Sequence, residues 1–275
     1  MNNMDNLRSY DNVEYLQVHE LSDKELFEYY NLKMNTAQSN AEFIEKEVIT
    51  GGGYQRANIC EIGGGNGKLL YCLEEKGLLR KGINYEVSKS RCELAVKFAE
   101  ISSSQNVEIR NCNFLEDIIE QNEYDCIVMV DIVLQIISPL YDAAESDTIN
   151  WIKTALKKGG YLFIEIVDYS DMIKYIKNKG SMYTWKEFSK GDPFQYSLDK
   201  FSIDKDNNLI CEKKFIGRDN DKRDYFKNVI HSYTLEEITR ILEMNGFSTK
   251  FYLCNDSSLP ESERNNTYRI LAKKV

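Results

Sequence analysis

Along residues 57–168, short apolar runs alternate with amphipathic stretches of helical length. The strand-like runs are "ANICEIG" (57–63), "GINYEV" (82–87), "VEIRNC" (107–112), "YDCIVMVD" (124–131) and "GYLFIEIVD" (160–168). Between them lie "KLLYCLEEKGL", "SKSRCELAVKFAEISS" and "DTINWIKTALKKGG", where apolar positions recur at helical spacing. This alternation predicts an α/β fold with a parallel sheet between layers of helices. The last of these helices is expected to run to Lys157, Lys158, Gly159 and Gly160, because cations suit a helix C-terminus and glycine suits its left-handed cap. Upstream, residues 22–48 predict a helix. Downstream, "YTLEEITRILEMNGF" opens with Thr234 and Glu237 in a capping box and stops at Gly246. "FSTKFYLC" and "TYRILAKKV" then predict a closing hairpin.

Residues 169–230 break the alternation. They are crowded with aromatics, and "KFSIDKDNNLICEKKFIG" reads as two strands about the turn Asp206–Asn208, with "RDYFKNVIHSY" supplying a third. An antiparallel flap at the C-terminal edge of the sheet is expected, where open α/β folds bind ligands. Its aromatics have several readings: a wall for a ligand, a satellite core or a homodimer contact. The organisation expected is an N-terminal helical lid (1–50), a core (51–168), the flap (169–230) and a C-terminal helix with hairpin (231–275). Tyr29 and Tyr30 in the first segment suit either a lid or a helix packed on the sheet.

Composition narrows the class. The 275 residues, 42% hydrophobic and 12% aromatic, can bury one sizeable core. No apolar run reaches the length of a membrane span. The opening "MNNMDNLRSYDNVEYLQ" lacks the marks of a signal or transit peptide, so a cytoplasmic location is expected. A formal charge of -9 and a pI near 5.0 give no basic field for a polyphosphate chain, which disfavours nucleic acid as partner. The seven cysteines include no C-x-x-C pair, and neither a metal site nor a disulfide framework is predicted. Histidine is scarce: His19 receives no role.

The candidate chemistry begins at "CEIGGGNGKLL", which places Gly63, Gly64, Gly65 and Gly67 between a strand and a helix. Such a turn offers unpaired N–H groups and lets a ligand approach bare backbone. The dinucleotide pattern G-x-G-x-x-G would need glycine where Lys68 stands; the spacing here is G-x-G-x-G, preceded by Glu61. At the end of the next strand Glu86, followed by Val87, is placed to accept both hydroxyls of a ribose. Asn113 and Phe114, past the third strand, can read an adenine edge through an amide and a backbone N–H. Asp131 ends the fourth strand at the mouth of the cleft.

Together these motifs resemble those of the class I S-adenosylmethionine-dependent methyltransferases, in the family's order from about Ile59 to Val275. The matching stretches are "EIGGGNG", Glu86, "NCNFLE", "YDCIVMVDIVLQII", "LKKGGYLFIE" and "YTLEEITRILEMNGF". The resemblance implies a Rossmann-like, mostly parallel seven-stranded sheet whose last strand is antiparallel, with the β flap added. It implies S-adenosylmethionine as cofactor and S-adenosylhomocysteine as product. Gly63 to Gly67 would wrap the methionine part with Glu61 near its amino group, Glu86 and Val87 would hold the ribose, Asn113 and Phe114 the adenine, and Asp131 and Gln135 would contact the cofactor from the fourth strand. Two departures stand out. Asn113 replaces the more usual aspartate, and "LQIISP" has Gln135 then Ile136 where many relatives carry a histidine.

Methyl transfer from a sulfonium is an in-line displacement from an activated donor, so a neutral amine can attack without a base, whereas a hydroxyl would want one. Asp131, His231 and Tyr233 are the catalytic candidates, with Glu165, Asp168 and Tyr169 also expected at the rim. The expected acceptor is a small molecule, nitrogen ahead of oxygen, as in amino-sugar and glycine N-methyltransferases. The alternatives are an O-methyltransferase, a tRNA- or rRNA-modifying enzyme, a nicotinamide oxidoreductase and a noncatalytic binding protein.

Overall fold

The computed structural model of the chain describes residues 21–119, 121–218, 223–254 and 266–275; His19 and the opening seventeen-residue stretch quoted above lie outside them. Helix α1 (Asp23–Ile44) starts at a capping box in which Glu25 N–H donates to Ser22 Oγ and Ser22 N–H to Glu25. Tyr30, Met34, Ala37, Ala41 and Ile44 recur every three or four residues and are buried, which is why α1 packs as a core helix. A wider turn (Glu45–Thr50) leads into β1 (Ala57–Ile62). There follow α2 (Lys68–Glu75), β2 (Leu79–Tyr85), α3 (Lys89–Ser102), β3 (Val107–Arg110), β4 (Tyr124–Met129), the short α4 (Val133–Ile137), α5 (Ala144–Ala155) and β5 (Leu156–Val167).

Beyond β5 come α6 (Ser170–Lys179), then β6 (Met182–Glu187), β7 (Phe194–Ile203), β8 (Leu209–Gly217) and β9 (Arg223–Ile230). Helix α7 (Leu235–Met244), β10 (Phe247–Leu253) and β11 (Thr267–Lys274) complete the chain. The seven-stranded sheet has the order β10-β11-β5-β4-β1-β2-β3, and only β11 runs antiparallel to its neighbours. The chain fills one side with β2 and β3, then crosses back to β4 and β5, so the switch lies between β1 and β4, where ligands enter at strand C-termini. Two buried clusters cover the faces: one joins α1 to α2 and α3, the other packs α5 and α7. The flap is a separate antiparallel sheet, β6-β7-β8-β9.

Two expectations need correction. Helix α5 ends at Ala155 instead of running to the lysines and glycines; Leu156 is already extended and β5 begins there. The cause is a bulge: Lys157 donates to the buried Asp125 at 2.8 Å, and a Cβ on Gly160 would lie 3.0–3.2 Å from three carbonyl oxygens. The flap has four strands, not three, because "MYTWKE" alternates and pairs with β7 in register from Met182↔Phe201 to Glu187↔Tyr196. Helix α6 precedes it, capped by Gly180 at φ +87°. The flap is two-faced: Tyr183, Trp185, Leu198 and Tyr225 are exposed outside, while Phe194 and Phe215 are buried.

Candidate active site

The glycine run connects β1 to α2 through three left-handed residues, Gly63, Gly65 and Gly67, with φ of +69°, +57° and +73°. Gly64 answers to a different constraint: a Cβ there would lie 2.3 Å from Asn84 Oδ1 and 2.6 Å from Glu61 Cδ, so the turn lies flat on two polar side chains. Asn84 donates to Gly65 O at 3.1 Å, and Glu86 accepts from Gly65 N–H at 3.0 Å and from Ser88 N–H at 2.8 Å. The ribose candidate is therefore braced on both oxygens by backbone, which fixes its carboxylate at the cleft wall.

A cleft of about 360 Å³ opens over this turn. Of the sequence candidates, Glu61, Gly63, Gly64, Gly65, Glu86, Val87, Asn113, Phe114 and Asp131 line it. Gly67 caps α2 just behind them. Glu61 is 2% exposed, and burial pushes its carboxyl up to about 8 against the opposing pull of Lys68. Among the described residues Glu61 Oε2 and Asn84 Oδ1 have no hydrogen-bond partner. A buried carboxylate oxygen without a donor, beside a turn on which a Cβ would collide, fits the ammonium and backbone of a methionine-type ligand. At the other end Phe114 lines the cleft, held edge-on to the buried Trp151 at 5.1 Å and to Tyr85 at 6.4 Å, an aromatic surface that suits an adenine. Asn113 is spent partly on its own turn: its Oδ1 accepts from Leu115 N–H and its amide donates to Glu116.

Asp131 and Ile132 both take left-handed φ, +55° and +60°. That is an outlier for a β-branched residue, and it turns the Asp131 carboxylate out of the sheet, 76% exposed, 3.7 Å from Lys68 Nζ. The opposite wall comes from α4 and its loop (Ile136, Leu140, Tyr141) and from the flap, where Phe226 and Asn228 on β9 share a face.

Three candidates are not brought to this cleft. Gln135 is fully buried and holds the fold together: its amide donates to Val167 O and His231 O, both at 2.9 Å, and its Oε1 accepts from Val167 N–H. Tyr233 is buried, with its hydroxyl hydrogen-bonded to Glu145 and to Ser138. His231 lies edge-on to Tyr233 with Nδ1 3.1 Å from Asn208 Oδ1. Of the rim carboxylates, Glu165 is buried beneath the Asp131 turn and Asp168 accepts from Ser170 N–H. Tyr169 meets Ser232. Sequence reading missed Asn84, Lys33, Lys68 as a wall residue, and Asn228. For Asn84 there was a signal: a polar residue within an apolar strand, on the face it shares with Gly82 and Glu86.

A methyltransferase-domain family model matches residues 38–249, most of the chain. No curated protein sequence matches it. Among solved structures it is similar to an S-adenosylmethionine-dependent methyltransferase from Clostridium acetobutylicum (14% identity, TM-score 0.69, covering 86% of this chain and 91% of that one). It is also similar to an amino pentose methyltransferase from Micromonospora echinaspora, solved with S-adenosylmethionine bound (9%, 0.60, 88% and 92%), and to a sugar N-methyltransferase from a Streptoalloteichus species (12%, 0.58, 86% and 87%). With the family model spanning turn, cleft and sheet, the chain belongs to the methyltransferase-domain family and is an S-adenosylmethionine-dependent methyltransferase.

Proposed function

We propose that the enzyme methylates an amine nitrogen on a small molecule. The observation that carries this reading is the make-up of the cleft wall: its acids are Glu61, Glu86 and Asp131, and the described lining contains no histidine. Bound S-adenosylmethionine supplies a methyl group already activated on a sulfonium. Glu61 would hold the ammonium, Glu86 the ribose hydroxyls and Phe114 the adenine, with Val133 against Gly63. The acceptor side is apolar where Ile132, Ile136, Leu140 and Phe226 meet, with Asn228 as its amide. Water excluded by that wall leaves the nitrogen lone pair unsolvated and in line. Asp131 is placed to accept a hydrogen bond from the acceptor N–H and to pass its proton outward to solvent. A hydroxyl would need a stronger base in contact with it; His231 and the Tyr233 phenol are committed elsewhere.

The sugar and glycopeptide N-methyltransferases among the structural neighbours support the same acceptor class. The outer flap face, with Tyr183, Trp185 and Leu198 exposed, suits packing against a second copy in a cytoplasmic homodimer. The test is a panel assay with S-adenosylmethionine and mass-spectrometric detection of methylated product. Aminated sugars and other primary and secondary amines should react. Methylation confined to hydroxylated acceptors or to RNA would overturn the amine reading.

A further inference from the structure

Helix α1 touches the Asp131 turn from two directions. Lys33, Thr36 and Asn40 fall at i, i+3 and i+7 on one side of the helix, with Ser39 beside them. At one end of this side Lys33 lines the cleft and pairs at 3.5 Å with Asp192, in the flap's β6–β7 loop. One direction reaches the Asp131 carboxylate. Lys68 Nζ donates to Thr36 Oγ1 at 3.4 Å and stands 3.7 Å from Asp131 Oδ2. The other direction reaches the Asp131 backbone. Glu165 Oε2 accepts from Asp131 N–H at 3.4 Å and from Asn40 Nδ2 at 3.2 Å. Glu165 is fixed in turn by Arg269, whose Nε donates to its Oε1 at 3.0 Å and whose Nη2 donates to Ser39 Oγ at 2.9 Å.

The arrangement has a cost that packing alone does not explain. Glu165 is buried, and burial together with the charge of Asp131 raises its carboxyl; Arg269 and Asn40 oppose this. Asn40 Oδ1 is buried without a partner among the described residues, so the amide is spent entirely on the donor it gives Glu165. Asp131 and Ile132 meanwhile occupy left-handed backbone, which for the β-branched Ile132 persists only where surroundings impose it. A helix needed only to cover the sheet would use its apolar side, Tyr30 to Ile44, and α1 already does.

We infer that the Thr36/Ser39/Asn40 side of α1 positions the Asp131–Ile132 turn for methyl transfer, acting through Lys68 on the carboxylate and through Glu165 on the backbone N–H. Asn40 and Glu165 are positioning residues, since neither lines the cleft. The N-terminal helix is then half of the reaction centre, and its link to the flap through Lys33 and Asp192 makes acceptor enclosure and turn geometry move together.

The activity arm of the test rests on the amine reading above; the exchange arm does not. Asn40→Leu keeps the branched shape and raises helix propensity while deleting the donor, and Gln38→Ala, on the opposite side of α1, is the control. In Asn40→Leu the backbone amide of Asp131 should exchange with deuterium about fivefold faster, while amides of β4 and β5 keep their protection. Turnover of the amine found by the panel should fall about tenfold in kcat, with the acceptor KM and the S-adenosylhomocysteine dissociation constant within about twofold of the parent. Thr36→Val, at an exposed position, should lower kcat by about twofold. Unchanged Asp131 exchange in Asn40→Leu would overturn the inference whether or not an acceptor is in hand. So would a loss of S-adenosylhomocysteine binding equal to the loss of turnover, which would make α1 part of the cofactor site. Failure of the panel to give any methylated amine would strike the function proposed above and leave the exchange result standing.

Discussion

The two halves of the cleft solve the same problem by opposite means. On the cofactor half, backbone shapes the site and side chains support it: Gly64 lies flat over Asn84 and Glu61, and Glu86 is gripped by two amides. On the acceptor half, side chains from α1, α4 and the flap make the walls, and the polar residues nearest in sequence, Gln135, His231 and Tyr233, are consumed in holding those elements together. A site built on backbone demands particular residues in a particular order. A site built on side chains from distant segments leaves no such order.

The sharpest break of this contrast is Gly64→Val. Its side chain would start 2.3 Å from Asn84 Oδ1, so S-adenosylhomocysteine binding should fall by about a hundredfold or more in calorimetry, with overpacking costing about 1–3 kcal/mol of stability. Gln135→Ala tests the other half. It strands Val167 N–H and two carbonyls, at about 1–3 kcal/mol for a buried group left unpaired, and should lower the denaturant midpoint while leaving cofactor affinity of the folded enzyme intact. A selective loss of cofactor binding would return Gln135 to the cleft. Glu86→Ala should weaken S-adenosylhomocysteine binding by about 1–3 kcal/mol if its braced carboxylate is the ribose partner proposed above.

The smallest effect is a pH dependence. The Glu61 carboxyl is raised from 4.5 to about 8, so the folded, ligand-free chain holds a proton that the unfolded chain releases. The stability this group contributes is fully present below about pH 4.5 and is lost as pH rises through about 8. A ligand ammonium pairs with the ionised form, so S-adenosylhomocysteine affinity should increase between pH 6.5 and 8, with proton release measurable by titration in buffers of different ionisation enthalpy. Glu61→Gln should flatten that slope.

The contrast also explains what could be read from the chain. The parallel sheet followed from strand-helix alternation, and the place of the glycine turn, Glu86 and Phe114 at the cleft from residues whose spacing backbone geometry dictates. The end of α5 was misread because Lys157 serves a buried Asp125 on a neighbouring strand, a tertiary partner that local cap signals do not reveal. Strand β6 was hidden because Tyr183 and Trp185 alternate outward and mimic a loop of surface aromatics. His231 and Tyr233 looked catalytic by type and place, yet Asn208 and Glu145, distant in sequence, hold them in structural contacts.

The central claim, a glycine turn and a buried acid shaped for S-adenosylmethionine, is tested most directly by calorimetric titration of the protein with S-adenosylhomocysteine, with NAD as control. Binding of S-adenosylhomocysteine in the micromolar range or tighter, with none of NAD, is predicted. Absence of S-adenosylhomocysteine binding would contradict the account at its base.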